Sequence, residues 1–205
     1  MFSGCSRLTS LSLNFDVSQV TRMEYMFNNC TSLTSLDLSN FYTKSARNIS
    51  HMFHGCTSLS YLNINNFDTQ LVNAMESLFQ ECESLTSIDL HNFITSNVKN
   101  TMKMFYSCSN LTELDLSNFN TKEVLQMEYM FSNCKSLSSL NLSGFNVKEV
   151  KNMDYMFNSC ESLKELNLSD FETSALTSMI YMFGNCSSLE KLDIKKFDTH
   201  LSYLI

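Results

Sequence analysis

The chain contains no proline and no tryptophan, and only four of its 205 residues are glycine. Turns must therefore be made by Asn, Asp, Ser and Thr, whose short side chains hydrogen-bond to nearby backbone. Basic residues are also scarce: 14 Lys and Arg stand against 21 Asp and Glu, a formal charge of −7. That balance argues against a nucleic-acid partner, which needs clustered cations to meet phosphates. No apolar run approaches the roughly twenty residues of a membrane-spanning helix, so no direct membrane insertion is expected. The opening stretch "MFSGCSRLTS" lacks the charged and apolar regions of a signal peptide. Missing too are the Gly-rich phosphate loop, G-x-S-x-G and H-E-x-x-H. No catalytic residue and no cofactor is assigned, and an enzyme is not expected.

What is present is order at long range. The cysteines are Cys5, Cys30, Cys56, Cys82, Cys108, Cys134, Cys160 and Cys186, spaced by 25 once and then by 26. Counted from each Cys, position +3 is always Leu, as in Leu8, Leu33 and Leu189; positions +6 and +8 are Leu or Ile, as in Leu36 and Leu38. All sixteen Phe fall in two columns, at +11 (+10 in the first copy, Phe15) and three before each Cys; twelve of the thirteen Met fall in two more. "CTSLTSLDLSNF" at 30–41 returns as "CSNLTELDLSNF" at 108–119 for this reason. A fixed period of this length marks a stacked repeat in which no single copy can bury its own apolar face.

Leu-x-x-Leu-x-Leu is a strand signature. Leu36 and Leu38 point to one face of an extended segment, while Ser35, Asp37 and Ser39 point to the other. In "TKEVLQMEYMF", Thr121 is placed to cap, and Val124, Met127, Met130 and Phe131 form one apolar stripe at helical spacing. Each copy predicts a strand, a turn, a short helix and a return. The expected fold is an α/β repeat solenoid: one domain over residues 1–205, about eight coils, one parallel sheet with about 4.8 Å between strands, and short helices opposite it.

The units "MFNNCTSLTSLDLSNF" (26–41) and "MFSNCKSLSSLNLSGF" (130–145) resemble the 26-residue lipoprotein-type repeat of the BspA-like leucine-rich-repeat surface proteins of bacteria. The likeness covers essentially the whole chain. Local departures are Leu78 and Thr101 in Met columns, Ala46 in the Val column, and Ile94 where a small polar residue follows Phe. The resemblance implies a right-handed leucine-rich-repeat coil, a cell-surface or secreted location, and binding to other proteins, often in host adhesion. Its alternatives are a structural spacer or stalk and an intracellular protein-interaction scaffold. Met1-Phe2 reads as the tail of a preceding coil, so a fragment starting in mid-repeat is expected. The last strand, with Glu190, Lys191, Lys195 and Lys196, has the charge that discourages further edge pairing and reads as a natural end.

Three groups of residues bear on ligands. The cysteines sit at one inward position of successive coils, where parallel in-register side chains do not bridge easily, so free buried thiols are expected. His51-x-x-His54-x-Cys56 is the single metal-like cluster and reads as incidental. On the exposed strand face, position +7 forms a polar ladder that includes Asp37, Asp89, Asp115 and Asp193; Asp89 and Asp115, on adjacent rungs, are candidates to face a basic partner or share a cation. In the column before each "MF", Tyr129, Tyr155 and Tyr181 form a candidate aromatic stripe suited to an interface.

Overall fold

The computed structural model describes residues 1–198; residues 199–205 of the expected array lie outside the described residues. Successive copies stack as coils, and the inward columns form one continuous core from Val17 to Met182. The turns use the chemistry that the missing Gly and Pro demand. The side chains of Asp37, Asn63, Asp89, Asp115, Asn141, Asn167 and Asp193 each accept the N–H of the residue two further on. Asn48, Asn100 and Asn152 do the same at another corner.

Six strands of three residues each follow the Leu-x-x-Leu segment: β1 (Ser35–Asp37), β2 (Tyr61–Asn63), β3 (Glu113–Asp115), β4 (Ser139–Asn141), β5 (Glu165–Asn167) and β6 (Lys191–Asp193). They pair in parallel as β1 with β2, β3 with β4 and β5 with β6, and Leu lies opposite Leu in every pair. The single sheet expected from the sequence is thus three separate pairs. A segment this short, pinned between the Cys-to-Leu turn and the Asx turn, has few peptide groups left to pair. Leu36, Leu114 and Leu166 are buried, whereas Leu62, Ile88 and Leu140, beside the openings, are only half-buried.

The unbroken ladder runs elsewhere. Parallel bridges join Arg22, Asn48, Ala74, Asn100, Gln126, Asn152 and Ser178 in one column. This is the segment expected to be helical, and no helix exists among the described residues. The N–H groups of Met127, Tyr129, Phe131 and Asn133 reach carbonyls of the next coil, at Asn152, Asp154, Met156 and Asn158, over 2.8–3.2 Å. Between them, Met130 closes onto Met127 and Cys134 onto Phe131, as four-residue turns. Tyr129 (φ 58°) and Asn133 (φ 62°) lie in the left-handed region, which a right-handed helix cannot contain. The apolar stripe itself is real: Val124, Met127, Met130 and Phe131 are all buried. A spacing of three fits a succession of turns as well as it fits a helix.

Stacked rings fill the centre. From Phe2 to Phe183 one Phe column stacks ring on ring with centroids 5.5–5.8 Å apart, each pair contributing about 0.5–1.5 kcal/mol beyond its burial. Beside them the cysteines are free, and Cys30 through Cys160 are buried. From Cys56 to Cys186 each thiol donates to the carbonyl of the Phe 29 residues earlier, as Cys108 does to Phe79 at 3.1 Å, and Cys30 donates likewise to Phe2, 28 residues earlier. Burial pushes Cys56 and Cys108 up to about 12. Cys5 departs from the inward expectation and is exposed, because its coil is the outermost described one and is covered on one side only.

Candidate functional site

Two outward columns carry the candidate residues. On the strand face, Asp37, Asp115 and Asp193 first serve the fold: their carboxylates accept the N–H of Ser39, Ser117 and Lys195 at 2.9, 2.9 and 3.3 Å. Backbone bonding by Ser39 and Ser117 is the main cause that lowers the pKa of Asp37 and Asp115. Asp89 is lowered chiefly by the His91 side chain, with which it pairs, and Asp193 by Lys195 Nζ at 2.7 Å. The charges of the last strand are matched as well, Lys191 with Glu165 and Lys196 with Asp170. Asn63, Asn141 and Asn167 occupy the same turn role, so an acid is chosen at some rungs and not needed by the turn. A shallow depression lies over β5 and β6, lined by Glu165, Leu166, Asn167, Lys191 and Asp193 among others, and reaches Leu140 of β4.

The second column is brought together fully. Tyr129 and Tyr155 stack at 4.8 Å and 4°, and Tyr155 and Tyr181 at 5.5 Å and 22°. The backbone enforces this register, because Tyr129 N–H donates to Asp154 and Tyr155 N–H to Ile180. The column extends upstream through Lys103, whose Nζ lies 5.6 Å from the Tyr129 ring centroid, and ends with Tyr25 stacked on His51 at 4.6 Å. Every member, from Tyr25 to Tyr181, has positive φ. Exposure rises along the tyrosines: Tyr129 and Tyr155 are half-buried and Tyr181 is 67% exposed, whereas Ser77 in the same column is buried.

His51, His54 and Cys56 do not converge. Cys56 donates inward to Phe27, and His54 Nε2 faces Glu81 Oε2 at 3.6 Å. Among the described residues no three His, Cys, Asp or Glu side chains form a metal cage. What sequence reading missed is the acidic column beside the tyrosines, Glu76, Glu128 and Asp154. Its signal was the Glu-Tyr and Asp-Tyr pairs at 128–129 and 154–155, one position before each ring.

Parallel coils with a Leu-x-x-Leu-x-Leu face make the protein a repeat solenoid of the leucine-rich-repeat type. A leucine-rich repeat protein of T. pallidum shares this fold, with 23% identity, a TM-score of 0.53, and 83% of this chain aligned to 72% of that one. The chain belongs to the family described as Mycoplasma protein of unknown function, DUF285, whose model matches residues 1–85, 59–139 and 137–202. Two further solved structures are similar over 62% of their own length. One is a leucine-rich repeat protein from Bacteroides ovatus (19% identity, 94% of this chain, TM-score 0.40). The other is a leucine rich cell surface protein from Faecalibacterium prausnitzii (16% identity, 83% of this chain, TM-score 0.33). No curated protein matches the chain. No helix among the described residues is long and apolar enough to cross a membrane.

Proposed function

We propose that the chain is a protein-binding repeat module displayed at a cell surface, with a role in adhesion or host contact. The observation that carries the binding role is the stacked Tyr129–Tyr155–Tyr181 column, half-buried at Tyr129 and Tyr155 and exposed at Tyr181. Its rings lie outside the core that holds the coils together, and large amphipathic rings in a fixed register suit an interface. The Asp37, Asp89, Asp115 and Asp193 ladder supplies a second, polar contact face. The surface location rests on the resemblance of the repeat to bacterial surface proteins.

The test presents the purified module to an array of extracellular-matrix and cell-surface proteins. The wild-type chain is expected to bind at least one of them. Tyr155→Ala and Asp115→Asn are then expected to weaken that binding while far-UV circular dichroism stays unchanged. An intact fold that binds nothing would favour the spacer reading, which the continuous bridge column from Arg22 to Ser178 also supports through its rigidity.

A further inference from the structure

The flank that carries the tyrosines also carries polar groups left without partners. Among the described residues, the buried side-chain atoms that lack a hydrogen bond are Glu128 Oε2 and His51 Nδ1. Both belong to this one flank: His51 is in the aromatic column, and Glu128 immediately precedes Tyr129. Glu128 is only 9% exposed, and a buried carboxylate oxygen without a donor is costly. Asp154 and Glu76 lie close enough to disfavour its ionisation, and none of the three joins an ion pair among the described residues.

The other two acids are partly used. Asp154 Oδ1 accepts from Ser178 Oγ and from the Ile180 N–H at 2.7 Å, and Glu76 Oε2 accepts from Asn100 Nδ2 at 3.1 Å. The rings beside them already hold a cation at one end, since Lys103 Nζ stands 5.6 Å from the centre of Tyr129, within reach of a cation–π contact. From Tyr129 to Tyr181 neither column contains a Lys or Arg.

We propose that this flank is a recognition strip for a Lys- or Arg-bearing segment of a protein partner, with Glu128 and Asp154 facing the cations and Tyr129 and Tyr155 packing their aliphatic stems. The inference rests on the protein-binding reading and gives it a partner chemistry. Charge complementarity selects the occupant: three acids without an ion pair among the described residues and electron-rich rings fit a cationic side chain and repel an acidic one. Arginine fits best, because its planar guanidinium both stacks on rings and forks onto a carboxylate.

The experiment selects a displayed library of random peptides on the folded module, then titrates a short oligoarginine peptide, with oligoglutamate as control. Enrichment of Lys and Arg is expected. Glu128→Gln and Tyr155→Ala are each expected to weaken oligoarginine binding by about tenfold, while Glu149→Gln, which removes the same charge from an exposed site elsewhere, changes it little. Melting curves confirm that the variants fold; Glu128→Gln keeps its shape and serves if Tyr155→Ala does not. Selected peptides without basic residues, or equal losses in Glu128→Gln and Glu149→Gln, would overturn the strip and leave the binding module standing. A library that yields no peptide at all would overturn both.

Discussion

Thr121 and Asn146, one coil apart, exchange two hydrogen bonds through a single hydroxyl. Thr121 Oγ1 donates to the Asn146 carbonyl and accepts the Asn146 N–H, both at 2.8 Å. The arrangement recurs between Thr43 and Asp68, Thr69 and Ile94, and Thr95 and Asn120. Where Val147 takes this position, Glu172 N–H turns instead to its local neighbour Asp170 at 3.0 Å. The hydroxyl thus works as a rivet between coils.

Thr121→Val should show what the rivet is worth. The isostere keeps the volume of a buried side chain but leaves both polar groups of Asn146 without their partner. A loss of about 1–2 kcal/mol of unfolding free energy is expected, measured by urea titration against the wild-type chain. An unchanged midpoint would mean that Asn146 finds another partner, as Glu172 does.

The buried thiols set a limit at high pH. Their folded-state pKa values are raised, to about 12 for Cys56 and Cys108 from an ordinary value of 9.0, with burial as the main cause. The folded chain therefore keeps protons that the unfolded chain gives up above pH 9.0. Stability is fully present below that pH and falls as pH climbs towards about 12. Each such thiol steepens the fall by about 1.4 kcal/mol per pH unit. Urea midpoints measured on either side of the thiol range should drop by more than one thiol allows, and Cys108→Ala should flatten the slope by one.

Positive φ is expensive for residues that have a Cβ. The column just before each Cys is left-handed throughout, and the chain places Gly there only at Gly4 and Gly55. Ser107 stands in the same column at φ 59°. Ser107→Gly should raise stability by up to about 1 kcal/mol, while Ser107→Val should lower it, both read by thermal melting.

Much of the core was legible before any coordinates, because burial of a repeated apolar column follows from its repetition. Leu36, Phe105, Met127 and Cys108 are inward in the fold as they are regular in the sequence. The Asx turns were legible too: with no Pro and few Gly, little else can turn this chain. The segment 121–131 reads as a helix in sequence because Val124, Met127 and Met130 satisfy a spacing of three, which a succession of turns closed from residue i to i+3 shares with an α-helix. The left-handed column had a weak signal, namely Asn29, Gly55, Asn133 and Asn185 before successive cysteines, since Gly and Asn tolerate positive φ.

Of the candidate residues, Tyr129, Tyr155 and Tyr181 could be placed in one column by counting alone, but counting does not say that their rings stack. That follows from Tyr129 and Tyr155 donating N–H groups to the next coil. The role of Asp37 and Asp115 as turn acceptors, and the lack of a partner for Glu128 Oε2, depend on where each oxygen sits. The sequence by itself determined the period, the inward columns and the need to stack, since these are properties of spacing and hydrophobicity. The tertiary structure alone decided whether each backbone N–H closes a turn within its coil or bridges to the next. Both choices satisfy the same polar groups, and only the packing of one coil on another separates them.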